Sequence, residues 1–326
     1  MDNKRIKTIA HLADLHIRKL HRHNEYRAVF RRLYKQLRSL KPDLIVICGD
    51  IVHTKLDTSP EEIRLIANLF LNLAKIASTV VIPGNHDANL NNKSREDALS
   101  PITDLIKKIN PNLHYWKKSG KYTLNNVDFG VLSVFDIDKN GNQTIDNLPN
   151  SKDMNSEYKV ALYHGQVGTF LMDNNFKVTS DRVTMKDFNG YDLILLGDIH
   201  RRQFLNQKKN CAYPGSLLQQ GFAEESSHGF LFWDLENKKA DYYVVENDYG
   251  FKIIDVIKGE IQNKMDFVPL KGTIKIRYWN TELNRIRDIK IDLWKKYPKL
   301  KTIKAEKQDI LSLDKNNKID KAYIGD

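Results

Sequence analysis

The sequence predicts an α/β fold: a four-layer α/β/β/α sandwich with a small α/β domain at its C-terminal end. Three observations lead there. Strand and helix patterns alternate up to about residue 82, as in strands joined by crossover helices. The second strand run is continuously apolar, as expected where both faces of a sheet are covered. From about Leu113 strand patterns dominate, which fits a second stacked sheet better than a barrel.

Ile6 to Leu12 reads as the first strand. Tyr26, Val29, Phe30, Leu33, Leu37 and Leu40 then recur at helical spacing with Arg and Lys between them, giving an amphipathic helix that starts at Asn24 as N-cap. Asp43 to Cys48 is the second strand, and Pro60-Glu61-Glu62 opens a second helix through Ile63, Ile66, Ala67, Phe70 and Ala74. Ser78 to Ile82 is the third strand. Further strands are read at Lys121–Leu124, Val127–Phe135, Val160–Tyr163, Leu193–Leu196, Gly229–Trp233 and Asp241–Val245. Lys139 to Tyr158, rich in Asn, Asp and Ser, reads as a mobile excursion without chemistry. Beyond Gly250, strands at Phe251–Val256 and Thr273–Trp279 and a helix at Glu282–Trp294 compose the small domain. The expected division is 1–248, 249–305 and a polar tail, 306–326.

At 326 residues the chain exceeds a typical single domain, so one large core with a smaller appendage is expected. No apolar stretch approaches the roughly 20 residues of a bilayer span, and no export signal precedes the first strand, so the expected location is cytoplasmic, or nuclear in a eukaryotic host. Cys48 and Cys211 are too few for a disulfide framework, and Cys48 lies inside a strand as a small hydrophobe. The net charge of +11 favours a polyanionic partner such as nucleic acid, although a basic surface also serves solubility. Residues 251–326 hold 18 Lys and Arg against 11 Asp and Glu, which places +7 of the excess there.

Five polar clusters close apolar runs: Asp14-Leu15-His16, Asp50-Ile51-Val52-His53, Asn85-His86-Asp87, His164-Gly165 and Asp198-Ile199-His200. Any one His reads most simply as a surface residue, yet five of the ten histidines fall in these clusters. Two divalent ions need a bridging carboxylate within a set of imidazole and oxygen donors. Asp14 and His16, separated by one residue, can meet one ion, and Asp50 is the natural bridge. Asn85 adds a carbonyl oxygen and His164 and His200 add imidazoles, a mixed set suited to manganese, iron or zinc over calcium. His86 is expected to stay off the metal and act as general acid on the leaving oxygen, with His53 contacting substrate. Asp87 either orients the His86 ring or caps the following turn.

The ordered motifs resemble the calcineurin-like metallophosphoesterases, and most closely the nuclease subunits of the SbcD and meiotic-recombination-eleven type. Arg18 just past the first motif, Tyr213-Pro214-Gly215-Ser216 and His228-Gly229-Phe230 add to that likeness, whereas the Arg-Gly of the phosphatase subgroup is replaced by His53-Thr54-Lys55. The likeness covers about residues 6–246. It implies a metallophosphoesterase domain followed by a DNA-capping domain, with Asp14, His16, Asp50 and His200 on one metal and Asp50, Asn85, His164 and Asp198 on the other. The family usually carries Gly-His-x-His where this chain has Gly197-Asp198-Ile199-His200, so the second metal meets a harder donor and the metal preference is open among Mn²⁺, Mg²⁺, Fe²⁺ and Zn²⁺, with Mn²⁺ favoured.

The resemblance further implies phosphodiester hydrolysis on DNA ends, hairpins or single strands in double-strand break repair, with an SbcC-type coiled-coil ATPase and a homodimer. Arg18, Arg201 and Arg202 are candidate phosphate contacts, although Arg201 and Arg202 could equally be solvated loop charges. The weakly periodic tail contains no convincing helix for docking the ATPase. Two rival readings are a DNA-end-binding scaffold with weak or no nuclease activity and a phosphodiesterase acting on small nucleotides.

Overall fold

The computed structural model describes residues 5–92, 94–263, 265 and 267–308. They form two compact units that divide between Glu246 and Asn247.

The first unit opens with β1 (Thr8–Leu12), α1 (His23–Leu40), β2 (Leu44–Cys48), α2 (Pro60–Ile76), β3 (Ser78–Ile82), α3 (Ser100–Ile109) and β4 (Leu113–Tyr115). It continues through β5 (Gly120–Leu124), β6 (Val127–Leu132), β7 (Tyr158–His164), β8 (Gly168–Leu171), β9 (Lys177–Ser180), β10 (Leu193–Gly197), β11 (Gln203–Phe204), β12 (Cys211–Tyr213), β13 (Gly229–Asp234) and β14 (Lys239–Val244). Two six-stranded sheets result, ordered β14-β13-β1-β2-β3-β4 and β11-β12-β10-β7-β6-β5. Strands β1 to β4 run parallel, as do β6, β7, β10 and β12, so within each sheet these strands end at a common edge.

Alternation along each strand sorts the apolar side chains into layers. Ile45 and Ile47 of β2 pack with Val29, Phe30 and Leu33 of α1 and Ile66, Leu69 and Phe70 of α2. Leu44, Val46 and Cys48 face the other way, onto Phe129, Val131, Leu162 and Leu195 of the second sheet. The outer face of that sheet, with Tyr163, Leu196 and Tyr213, is covered by Val167, Phe170, Val183 and Phe188. Phe170 belongs to β8 and Phe188 to a short 3₁₀ turn, while Val167 and Val183 flank the β8–β9 hairpin, so among the described residues this face is covered by a hairpin, loops and a 3₁₀ turn.

Local chemistry accounts for the element ends. Ser59 caps α2 by accepting from the Glu62 N–H at 3.2 Å, with Pro60 at the first helical position. The expected Asn24 cap of α1 is corrected: the helix begins at His23, and left-handed Arg22 occupies the cap position with its guanidinium on Glu25. Asn24 instead accepts from Arg27 inside the first turn. The strand expected to reach Phe135 stops at Leu132, where Ser133 turns the chain by donating to the Lys117 carbonyl at 2.6 Å. Residues 139–158 are anchored: the Gln143 amide donates to the Ser133 and Asp136 carbonyls, and Ile145 and Leu148 pack on the second sheet's outer cluster.

The second unit contains β15 (Phe251–Ile257), β16 (Glu260–Ile261), β17 (Thr273–Trp279), α4 (Leu283–Lys296) and β18 (Thr302–Lys307), in a sheet ordered β16-β15-β17-β18. Ile286, Ile289 and Leu293 of α4 cover Ile254, Val256, Ile274 and Ile276. Strand β18 runs to Lys307, two residues into the segment expected as polar tail; the rest of that segment beyond residue 308 lies outside the described residues. Among the described residues no helix is long and apolar enough to cross a membrane.

Candidate metal centre

All five motifs converge at the ends of the parallel strands. Asp14 and His16 follow β1, Asp50 follows β2, Asn85 and His86 follow β3, His164 is the last residue of β7, and Asp198 and His200 follow β10. Both sheets therefore contribute donors to one buried cluster. The loops interlock through backbone: Leu15 and His16 donate to the Asp50 carbonyl at 2.8 and 3.0 Å, and Gly165 donates to Gly197 at 3.1 Å. Donor atoms of Asp14, His16 and His200 lie within 4.8 Å of one another, as do those of Asp14, Asp50 and His164.

The hydrogen bonds fix which imidazole atoms face inward. His164 Nδ1 donates to the Cys48 carbonyl at 2.8 Å, so its Nε2 faces inward, toward Asn85 Oδ1 at 3.0 Å, Asp50 at 3.3 Å and Asp198 at 3.8 Å. His200 Nδ1 is held by Glu224 at 3.0 Å, and its Nε2 lies 2.9 Å from His16 Nε2. Two imidazole nitrogens at that distance cannot both donate, and His16 Nδ1 is buried with no hydrogen-bond partner. Several buried nitrogen and oxygen donors thus crowd together with one imidazole nitrogen unpartnered, an arrangement that a cation would satisfy.

Electrostatics say the same. Burial pushes the Asp14 carboxyl up to about 7, against His164 and His200. Burial also raises Asp50, but the charge and hydrogen bond of His164, then His16 and His86, outweigh it and hold Asp50 well below the usual range. Burial opposes charge on His164, yet Asp50, Asp14 and Asp198 raise it well above the ordinary value. Burial takes His16 down to about 2. Positive charge is favoured at the Asp50–His164 side of the cluster, and the mixed carboxylate, amide and imidazole donors fit a pair of divalent ions. Close approach also limits the surrounding chain: a Cβ on Gly84 would collide with the Asp50 carboxylate, and one on Gly49, itself at φ +80°, with His164 Nδ1.

His86 and His53 flank this cluster, both half-buried. The His86 N–H donates to Asp50 at 2.9 Å, and its Nδ1 donates to the His53 carbonyl at 2.6 Å, leaving Nε2 uncommitted. Arg18 donates to His53 Nε2 at 3.0 Å, so Arg18 is drawn to the rim. Asp87, expected either to orient the His86 ring or to cap the following turn, is fully buried and accepts instead from the backbone N–H groups of Gly84, Ile51 and Val52. Arg201 is held by the Met172 carbonyl and Asn175, in the β8–β9 turn, and Arg202 stacks 3.9 Å over the Tyr242 ring. Both contacts are made within the protein.

Glu224 and the Cys48 carbonyl, which set the two inward imidazoles, escaped the sequence reading. A ligating imidazole requires an acceptor on its other nitrogen. That rule predicts an acceptor without saying which of 41 acidic residues provides it. His11, outside the five motifs, is buried with both ring nitrogens used, donating to the Leu196 carbonyl and accepting from Trp233.

Residues 7–202 match the calcineurin-like phosphoesterase family, a stretch that includes every candidate ligand. Uncharacterized protein R555 of Acanthamoeba polyphaga mimivirus is 42% identical over 301 residues, covering 90% of this chain. That alignment covers 22% of R555, so the chain spans about a fifth of its relative's length. Among solved structures, the nuclease MPE of Pseudomonas putida is 17% identical over 51% of this chain and 65% of its own, at a TM-score of 0.27, a likeness too loose to bear on function. With more than half of its length matched and the candidate metal-ligand motifs gathered at the strand ends of both sheets, this chain belongs to the calcineurin-like phosphoesterases, a family that binds two divalent metals.

Proposed function

We propose that the chain is a metal-dependent DNA nuclease of the SbcD and meiotic-recombination-eleven type, hydrolysing phosphodiester bonds at duplex ends, hairpins or single strands. The observation that carries this reading is His86, whose backbone is tied to the bridging Asp50 while its Nε2 is left free at the edge of the cluster. Asp14, His16, Asp50 and His200 would hold one cation, and Asp50, Asn85, His164 and Asp198 the other. When bound, such a pair activates water and neutralises charge on the phosphoryl oxygens. His86 keeps its Nδ1 proton on the His53 carbonyl, so as imidazolium it delivers the Nε2 proton to the leaving oxygen. His53, kept neutral by burial and by Arg18, contacts the substrate, and Arg18 offers the remainder of its guanidinium to a phosphate. The wider role, break repair with an SbcC-type ATPase and a second copy of this chain, follows the family resemblance and the charge of +11.

End-labelled duplex and hairpin DNA incubated with Mn²⁺, with and without an SbcC-type partner, tests the reading. His86→Gln is expected to lower cleavage by roughly 10²–10⁴-fold while Mn²⁺ and DNA binding persist. Cleavage unchanged in that variant removes the assigned role. A scaffold reading is favoured by one observation, the carboxylate of Asp198 where the family has an imidazole. DNA binding without cleavage by the unaltered protein in any of the four metals would establish it. Hydrolysis of bis-p-nitrophenyl phosphate without cleavage of DNA at low salt would instead favour small nucleotides.

A further inference from the structure

We propose that the segment from Ser216 to His228, outside the stretch that matches the family, completes one of the two metal positions, with Glu224 as the positioning residue for His200. Glu224 is 7% exposed on its side chain and uses both oxygens. Oε1 accepts from His200 Nδ1 at 3.0 Å, while Oε2 accepts from the Gln220 N–H at 2.7 Å and the Ser216 hydroxyl at 3.3 Å, with His228 Nε2 3.6 Å away. The carboxylate is thus oriented from several sides before it orients the imidazole.

The same segment also braces the loop carrying Asp14 and His16. Gln220 Nε2 donates to the Leu15 carbonyl at 3.4 Å, and Arg22 donates to the Gln219 carbonyl at 2.6 Å and to Gln220 Oε1 at 3.3 Å. One loop therefore holds His200 through a carboxylate and the backbone of its facing partners through an amide. The Asn85–His164 side does not depend on it, because His164 is set by the Cys48 carbonyl. Loss of Glu224 should loosen one cation position selectively.

The inference rests on the metal-pair reading of the cluster and is independent of whether DNA is the substrate. Calorimetric titration of the metal-free protein with Mn²⁺ is expected to resolve two binding events. In Glu224→Gln, where one of the two oxygens becomes an amide donor, the event assigned to Asp14, His16 and His200 should weaken by roughly 10–100-fold, with the other changing less than about twofold. Asp173→Asn serves as a control. Asp173 lies within 4.8 Å of the His200 and Glu224 donor atoms, and its substitution should leave both events intact. The His200 Nδ1 proton signal of the metal-free protein should shift in Glu224→Gln and persist in Asp173→Asn.

Equal affinities in Glu224→Gln and the unaltered protein would overturn the proposal. So would parallel weakening of both events together with a lower melting temperature of the metal-free protein. If the unaltered protein binds no pair of Mn²⁺ ions, the reading of the cluster itself falls. Should Glu224→Gln fail to fold, Gln220→Ala, which keeps the N–H to Glu224 but removes the contact to the Leu15 carbonyl, tests the segment's hold on the Asp14 and His16 loop with the same selective expectation, and equal affinities there would overturn that part of the proposal.

Discussion

Four of the seven candidate ligands hold backbone conformations that side chains with a Cβ avoid: Asp14 at φ 54°, His16 at 46°, Asp50 at 54° and Asp198 at 99°. Strain of this kind persists where surrounding contacts over-determine it, and here each position turns a side chain inward at a strand end. The tolerance for added volume is correspondingly small. Gly84→Ala places a methyl group against the Asp50 carboxylate and is expected to abolish tight Mn²⁺ binding, measured by titration, with a lower melting temperature. Away from the site, Glu62 is 1% exposed and burial lifts its carboxyl to about 7 from an ordinary 4.5. The neutral form is therefore the one the fold favours: its contribution is complete below about pH 4.5 and lost as pH rises to about 7. Glu62→Gln should match the unaltered protein at pH 4.5 and melt a few degrees higher at pH 8; equal melting at pH 8 would show that the carboxylate is well solvated.

At the scale of elements, the parallel strands position the chemistry and the loops at their ends carry it. Ser59 caps α2 and also donates to the Lys19 carbonyl at 2.5 Å, so it joins the helix to the chain leaving the first ligand loop. Ser59→Ala should cost ~1–2 kcal/mol of stability by chemical denaturation. The β8–β9 hairpin is held from outside: Gln203 pairs with the Leu171 backbone at 2.8 and 2.9 Å, and Arg201 grips the turn. Arg201→Ala is accordingly expected to speed proteolysis at residues 172–176 and to leave the salt dependence of DNA binding unchanged. A shallower salt slope would return Arg201 to the phosphate contacts first assigned to it.

For the molecule as a whole, the cluster couples metal binding to folding. Asp14, Asp50, His164 and His200 come from two different sheets, so the unfolded chain has no comparable site. Mn²⁺ at about 100 times its dissociation constant should add ~2.7 kcal/mol per site, and chelation should remove the gain. A melting temperature indifferent to Mn²⁺ and chelator would count against the paired site. The basic excess concentrates in residues 251–326, and the described part of that segment folds on a core of its own. DNA affinity should therefore fall steeply as salt rises, whatever the sequence of the DNA.

Much of this was open to inspection in the chain itself. Apolar runs such as Leu44 to Cys48 can be stable only when covered on both faces, and Asp and His residues repeated at the ends of such runs have few other uses. Many of the elements, though not α3 or the β8–β9 hairpin, and the candidate ligands therefore follow from local patterns of hydrophobicity and spacing. What the tertiary structure alone decided is which acceptors face the outer nitrogens of those imidazoles. Glu224 reaches His200 from 24 residues away and the Cys48 carbonyl reaches His164 across 116. Asp87 was likewise assigned to backbone bracing by the approach of Ile51 and Val52. Hydrogen-bond partners of this kind depend on how two sheets and their loops come together, and no local periodicity encodes that approach.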